Sequence, residues 1–201
     1  VYINLLDITI LIIITIMYQF FNKKIKYNPD HDDAINYYNS DNVRLLNSRD
    51  GKKILTTKKN FIKYDVILLM TGPITNNESK IKLQIDDNYV MEKTGKLDDY
   101  VDHSCFPNCL LVPVKTVFAN NIVKYEIETY GLIAKRDIKI GEKITYDITT
   151  NRYKMDKIAC NCGNFCRREI IDFTMLDLEL QNKMLCECID GASLYDFVSV
   201  E

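Results

Sequence analysis

Apolar residues come in short runs separated by polar turns through most of this chain, and that spacing predicts strands. Val43-Arg44-Leu45-Leu46, Lys53 to Thr57 and Val66 to Met70 are β-branched or apolar runs of strand length, and Thr71-Gly72-Pro73 closes the third. Ile81 to Ile85 alternates apolar and polar, turns at Asp86-Asp87-Asn88 and resumes at Tyr89-Val90-Met91, a hairpin pattern. Residues 110–114 and 122–134 give further strands, and Ile138 to Asp147 holds a turn and a last one. Helical spacing is good only from Met175 to Cys188, with Leu176, Leu180, Met184 and Leu185 on one face. No internal repeat is present. The pattern predicts a mostly-β (β-rich α+β) domain with a short C-terminal helix.

The ends read differently. Residues 1–22 are apolar, but their longest charge-free run, Ile8 to Asn22, is shorter than the ~20 residues of a membrane span. Asp7 would cost about 3 kcal/mol inside a longer one. A membrane anchor and a buried helix both stay open; no basic leader or small-residue cleavage site marks a signal peptide. Residues 23–42 are polar, carry Pro29, and read as a linker in which His31 sits among Asp30, Asp32 and Asp33 in a solvated acidic loop.

At 201 residues the chain is one domain with appendages, and 47% apolar content supports a core. Net charge is -2, so no global basic field points to direct nucleic-acid binding. Paired charges such as Lys52-Lys53, Lys58-Lys59 and Asp98-Asp99 read as solvated surface, with Asp86, Asp87, Asp98 and Asp99 available to attract a basic peptide.

Seven cysteines, Cys105, Cys109, Cys160, Cys162, Cys166, Cys186 and Cys188, make an odd number. The tight group Cys160-Asn161-Cys162-Gly163-Asn164-Phe165-Cys166 fits metal binding in a reducing intracellular compartment, nucleus or cytoplasm, better than a disulfide framework. A second Cys/His-rich turn, Asp102-His103-Ser104-Cys105-Phe106-Pro107-Asn108, lies some fifty residues upstream, so two parts of the chain can meet at one ion. Cys109, Cys186 and Cys188 read as buried thiols.

These motifs carry a family resemblance. Residues 102–108 resemble the Asn-His-Ser-Cys-x-Pro-Asn signature of SET-domain lysine methyltransferases. Lys135 to Asp147 resembles their Arg-Asp-Ile-x-x-Gly-Glu-Glu-Leu-Thr-Tyr-Asp-Tyr stretch, and Gly51 to Thr57 with Tyr64-Asp65-Val66-Ile67 resembles their opening motifs. Cys160 to Cys166 resembles the post-SET zinc cluster, with its last spacing one residue shorter. The resemblance divides the chain into a SET domain at 43–157, a post-SET cluster at 158–168 and a helical tail at 169–201.

The resemblance implies several short sheets and a pseudoknot, in which the His-Ser-Cys segment threads beside a C-terminal loop against the usual rule. It implies S-adenosylmethionine as cofactor, contacted through Gly51, Lys53, Asp102, His103 and Ser104. It implies structural zinc on Cys105, Cys160, Cys162 and Cys166, and catalytic roles for Tyr146 and His103. The substrate would be a protein lysine, on a histone tail or another protein, and the enzyme a monomer. Three positions depart from the pattern: Lys53 at a glycine, Asp102 at the Asn, and Ile148 at the usual catalytic tyrosine, for which Tyr130 or Tyr153 would have to supply a hydroxyl. An inactive SET-like module that binds a peptide or acts as a scaffold is the alternative.

Overall fold

The computed structural model describes residues 28–48, 50–76, 80–85, 88–119, 124–151, 156–163, 166–192 and 198–200. Residues 1–22, with the anchor question they raise, lie outside these, as do the turn residues Asp86 and Asp87 and Tyr153. No helix among the described residues is long and apolar enough to cross a membrane.

After a 3₁₀ turn, Pro29–His31, come α1 (Asp32–Asn42), β1 (Val43–Asn47), β2 (Lys53–Thr57), β3 (Val66–Leu69), β4 (Ile74–Thr75), β5 (Ile81–Gln84) and β6 (Val90–Glu92). A 3₁₀ turn, Leu97–Tyr100, leads into β7 (Asp102–His103), β8 (Cys109–Ala119), β9 (Lys124–Ala134) and β10 (Thr145–Tyr146). β11 (Ile158–Ala159), β12 (Glu169–Ile170), α2 (Leu178–Ala192) and β13 (Val198–Val200) complete the chain. The described strands form five small sheets, the largest in the order β13-β8-β9-β3.

That sheet is buried on both faces. Cys109 and Leu111 of β8, with Tyr130, Leu132 and Ala134 of β9, enter the main core. The alternate residues, Leu110, Val112, Val114, Ile127 and Ile133, pack with Ile35 of α1 and with Leu185 and Cys188 of α2. Two-sided burial explains why these strands read as nearly continuous apolar runs. It also fixes Gly131, whose added Cβ would stand 2.3 Å from Val114 Cγ2.

The segment read as a linker is a docked helix from Asp32 onward. Three of its polar residues bind the backbone of β3. Asn39 gives and takes hydrogen bonds with Leu69 (2.7 and 2.8 Å), Asn42 donates to Ile67 O at 3.0 Å, and Tyr38 Oη donates to Val66 O at 2.6 Å. Among the described strands β3 is one edge of the large sheet, and α1 satisfies groups that this edge would expose. A composition suited to a loop here serves as an edge cover. One of the acidic residues around His31 is engaged too, for Asp32 pairs with Lys96 while Asp30 and Asp33 stay exposed.

The Asp98-Asp99 run is likewise buried, not solvated. Asp98 Oδ2 and Asp99 Oδ1 each lie 2.6 Å from Lys82 Nζ, and the three side chains are 0%, 6% and 4% exposed. Lys82 also donates to Thr71 O, while Asp98 takes the Thr71 N–H and Asp99 those of Thr94 and Gly95. This ion triad ties β5 to the turn that delivers β7. These carboxylates are spent internally and do not face a basic peptide.

At the C-terminus, helical structure begins with a 3₁₀ turn, Phe173–Met175, and α2 then starts at Leu178, later than the pattern predicts. Met184, Leu185 and Cys188 face inward and Lys135 clamps Glu187 at 2.7 Å. Cys109 and Cys188 are buried as expected; Cys186 is exposed.

Candidate functional site

The site forms where β7 and β10 pair in parallel, placing His103 beside Tyr146 and Asp102 beside Thr145. Ser104 N–H continues the ladder to Tyr146 O at 3.0 Å. Asn108 locks the same two segments, accepting from Thr145 N at 3.0 Å and donating to Lys143 O at 2.8 Å. The Asn that ends the His-Ser-Cys-x-Pro-Asn motif is therefore a backbone clamp. Ser104 Oγ accepts the Phe106 N–H at 3.0 Å and shapes the turn.

Tyr146 is 6% exposed and shares the main core with Tyr130 and Ile148. Ile148 presents only hydrocarbon there, but its N–H donates to His103 Nδ1 at 3.3 Å. Burial lowers the His103 pKa; Asp147, with Oδ1 3.6 Å from Nδ1, opposes this and Arg167 adds to it. The ring is thus neutral at pH 7, and with Nδ1 accepting, its proton sits on Nε2.

Asp102 is held between two lysines whose own side chains stay largely exposed. Lys52 Nζ stands 2.8 Å from Oδ1 and Lys143 Nζ 2.6 Å from Oδ2. Burial raises the Asp102 pKa, but the two ammonium groups outweigh it and hold the carboxyl below its usual range. Lys53 turns aside onto Tyr100, 3.5 Å from its hydroxyl and 4.9 Å from the ring centre. Gly51, at φ 79, leaves open space around a would-be Cβ. An anionic carboxylate, a neutral imidazole and an open turn are groups that fit a cationic cofactor.

The cysteines converge on the far side of this segment. Donor atoms of His103, Cys105, Cys160 and Cys162 all lie within 4.8 Å of one another. Cys105 Sγ and Cys160 Sγ are 4.0 Å apart, against about 3.8 Å for two sulfurs on one tetrahedral zinc. Cys166 stands beside this set, its thiol hydrogen-bonded with Cys160 and Cys162 and accepting the Arg168 N–H at 3.2 Å. Burial pushes the Cys160 thiol up to about 12. At Cys166 desolvation is outweighed by hydrogen bonds from the Arg168 and Cys162 backbone and the neighbouring thiols, leaving it at about 6. Sulfurs gathered this closely are a donor set suited to a soft divalent ion.

Arg167, next to the cluster, ties it to β10. Its Nη2 reaches Asp147 Oδ1 at 2.8 Å and Thr149 Oγ1 at 2.9 Å. Its position directly after the cysteine triplet was the one signal in the sequence. A cavity of ≈ 90 Å³ opens between this region and α2, lined by Cys105, Pro107, Leu110, Arg167 and Met184 among others. It is far below the 300–1,000 Å³ typical of sites for whole cofactors.

Residues 15–149 match the SET domain family model. The H3 lysine-4 specific histone-lysine N-methyltransferase of Chaetomium globosum is 36% identical over 89 residues, covering 42% of this chain and 8% of that protein. The histone-lysine N-methyltransferase ATXR7 of Arabidopsis thaliana is 35% identical over 91 residues, covering 42% and 6%. An H3 lysine-36 specific enzyme of Aspergillus oryzae is 34% identical over 71 residues, covering 35% and 6%. The chain thus spans less than a tenth of the length of these relatives. A solved complex of KRYPTONITE with DNA, an H3(1-15) peptide and SAH superposes on 64% of this chain and 29% of that one, at 17% identity and TM-score 0.48. The family match spans two thirds of the sequence and includes the paired β7 and β10 strands: the chain belongs to the SET-domain family.

Proposed function

We propose that this protein transfers a methyl group from S-adenosylmethionine to a lysine of a protein, with a histone tail as the substrate class. The observation that supports it most is the pairing of β7 with β10, which sets His103 and Asp102 against Tyr146 and Thr145 in a SET-domain chain. Relatives of this segment are named histone-lysine methyltransferases, which also favours a nuclear location.

Bound S-adenosylmethionine would supply a methyl already activated on a sulfonium. The protein's work is to hold the acceptor amine neutral, dry and in line. Buried Tyr146 offers an apolar wall for a lysine stem, and such surroundings lower an ammonium pKa. Neutral His103 presents no cation to repel the sulfonium. Gly51, Lys53, Asp102, His103 and Ser104 are the proposed cofactor contacts.

Zinc would close the fold rather than react. Cys105, Cys160, Cys162 and Cys166 are its proposed ligands. His103 stays outside the ion, since its Nε2 proton points at Cys105 Sγ 3.3 Å away.

The test is calorimetric titration of S-adenosylmethionine into the zinc-loaded full chain, followed by methyl incorporation into histone-tail peptides. Micromolar binding and methyl transfer are expected. Ile148 favours a second reading, a SET module that binds peptide without turnover; peptide binding with no cofactor binding would select it.

A further inference from the structure

We propose that Lys52 and Lys143, poised on either side of Asp102, form with it a receptor for the zwitterionic amino-acid end of S-adenosylmethionine. Asp102 takes the α-ammonium and the two lysines take the α-carboxylate. The inference rests on the cofactor assignment made above and adds two residues to it.

Three separate segments build this group. Lys52 closes the turn before β2, Asp102 lies in β7, and Lys143 precedes β10. A bridge between Thr56 and Lys143 and the Ile144 N–H to Leu55 O bond at 2.9 Å hold the first and last segments together. The Lys–Asp contacts of 2.8 and 2.6 Å are charge-assisted.

Charge balance gives the argument its direction. Two ammonium groups share one carboxylate, so the group carries one uncompensated positive charge. Asp102 is 19% exposed while Lys52 and Lys143 are 59% and 43% exposed, so the carboxylate is fixed and the lysines are free to swing. A zwitterion supplies one anion and one cation. Its carboxylate meets the excess positive charge, and its ammonium meets a carboxylate that is already ionised.

The chemistry also accounts for two departures together. The motifs this chain resembles carry Asn at position 102 and Glu at position 143; here those positions are Asp and Lys. The charges at the two positions are opposite, and the two side chains touch. The group adjoins His103 in β7 and sits one residue from the Tyr146 pairing, so an amino-acid end held here leaves its sulfonium beside the proposed methyl-transfer centre.

The experiment compares S-adenosylmethionine with its decarboxylated analogue, which keeps sulfonium and amine but lacks the α-carboxylate. Both are titrated calorimetrically into the zinc-loaded full chain, into Lys52→Met, Lys143→Met and the double variant, with thermal melts confirming folding. The native protein is expected to prefer S-adenosylmethionine roughly ten-fold, the value of one charge-assisted contact at a half-exposed site. Each single variant narrows that ratio and the double variant brings it to one or below, as S-adenosylmethionine loses the lysine contacts and the dicationic analogue loses their repulsion. Equal affinity of the native protein for both ligands overturns this inference alone, as does a ratio that survives in the double variant. Binding of neither ligand to folded native protein overturns the cofactor assignment and this inference with it.

Discussion

Ile148 is the residue on which the proposed methyl transfer would turn. It begins the turn after β10 with an aliphatic side chain against the core and its N–H on His103. Ile148→Tyr is expected to raise methyl transfer at least several-fold by placing a hydroxyl beside His103 and Tyr146, read in a radiolabel assay on histone-tail peptides. Equal or lower rates in the folded variant would show that position 148 does not meet the acceptor amine. Lys82 is the corresponding point for stability. Lys82→Met strands two carboxylates in the interior and is expected to cost ~3–5 kcal/mol by denaturant melt, with partial recovery on adding Asp98→Asn. Unchanged stability in the single variant would mean the triad is solvated in solution. These residues mark what the sequence could and could not convey. His103, Cys105, Cys160 and Cys162 were legible because the chemistry dictates residue type and tight spacing. Lys82, Lys52, Lys143 and Arg167 were not, because each finds its partner across a sheet or a turn. Asp98-Asp99 looked like surface for the same reason: its counter-ion comes from a strand 16 residues upstream.

Among the elements, β9 leaves least freedom. Gly131→Ala is expected to cost about 1–3 kcal/mol, because the new methyl meets Val114, itself 3% exposed, on the neighbouring strand. Gly131→Ala with Val114→Ala should be milder than the two single effects summed, and strict additivity would show that the clash relaxes elsewhere. Gly72 has a harder constraint, since its Cβ would come 2.3 Å from the Glu92 carbonyl oxygen. The strands were legible as apolar runs, and two-sided burial is why. α1 was not, because its contacts are made by amides and a phenol, and those residue types carry no periodic apolar stripe. The cysteine-rich segment is held to the body through Cys105 and Arg167. Cys162→Ser is therefore expected to open the chain after residue 155 to protease, with a chelator giving the same cleavage in the native protein. Resistance in both would count against zinc.

At the scale of the whole molecule, net charge proved a poor guide to where charge acts. A chain at -2 still concentrates lysines around Asp102 and hides an ion triad under β7. The overall architecture was legible because the motif order fixed it; the way its margins are sealed was not. α1 has a practical consequence for anyone trimming this protein. A fragment cut to begin at Val43, the domain boundary expected from the motifs, would keep every proposed site residue but uncover the β3 margin. Unpaired backbone groups on an apolar strand recruit another strand, so such a fragment is expected to dimerise or precipitate, while one that retains residues 28–42 stays dispersed. Light scattering of the two would show it. The polar stretch that looks dispensable is then the part that keeps copies of this protein from joining edge to edge.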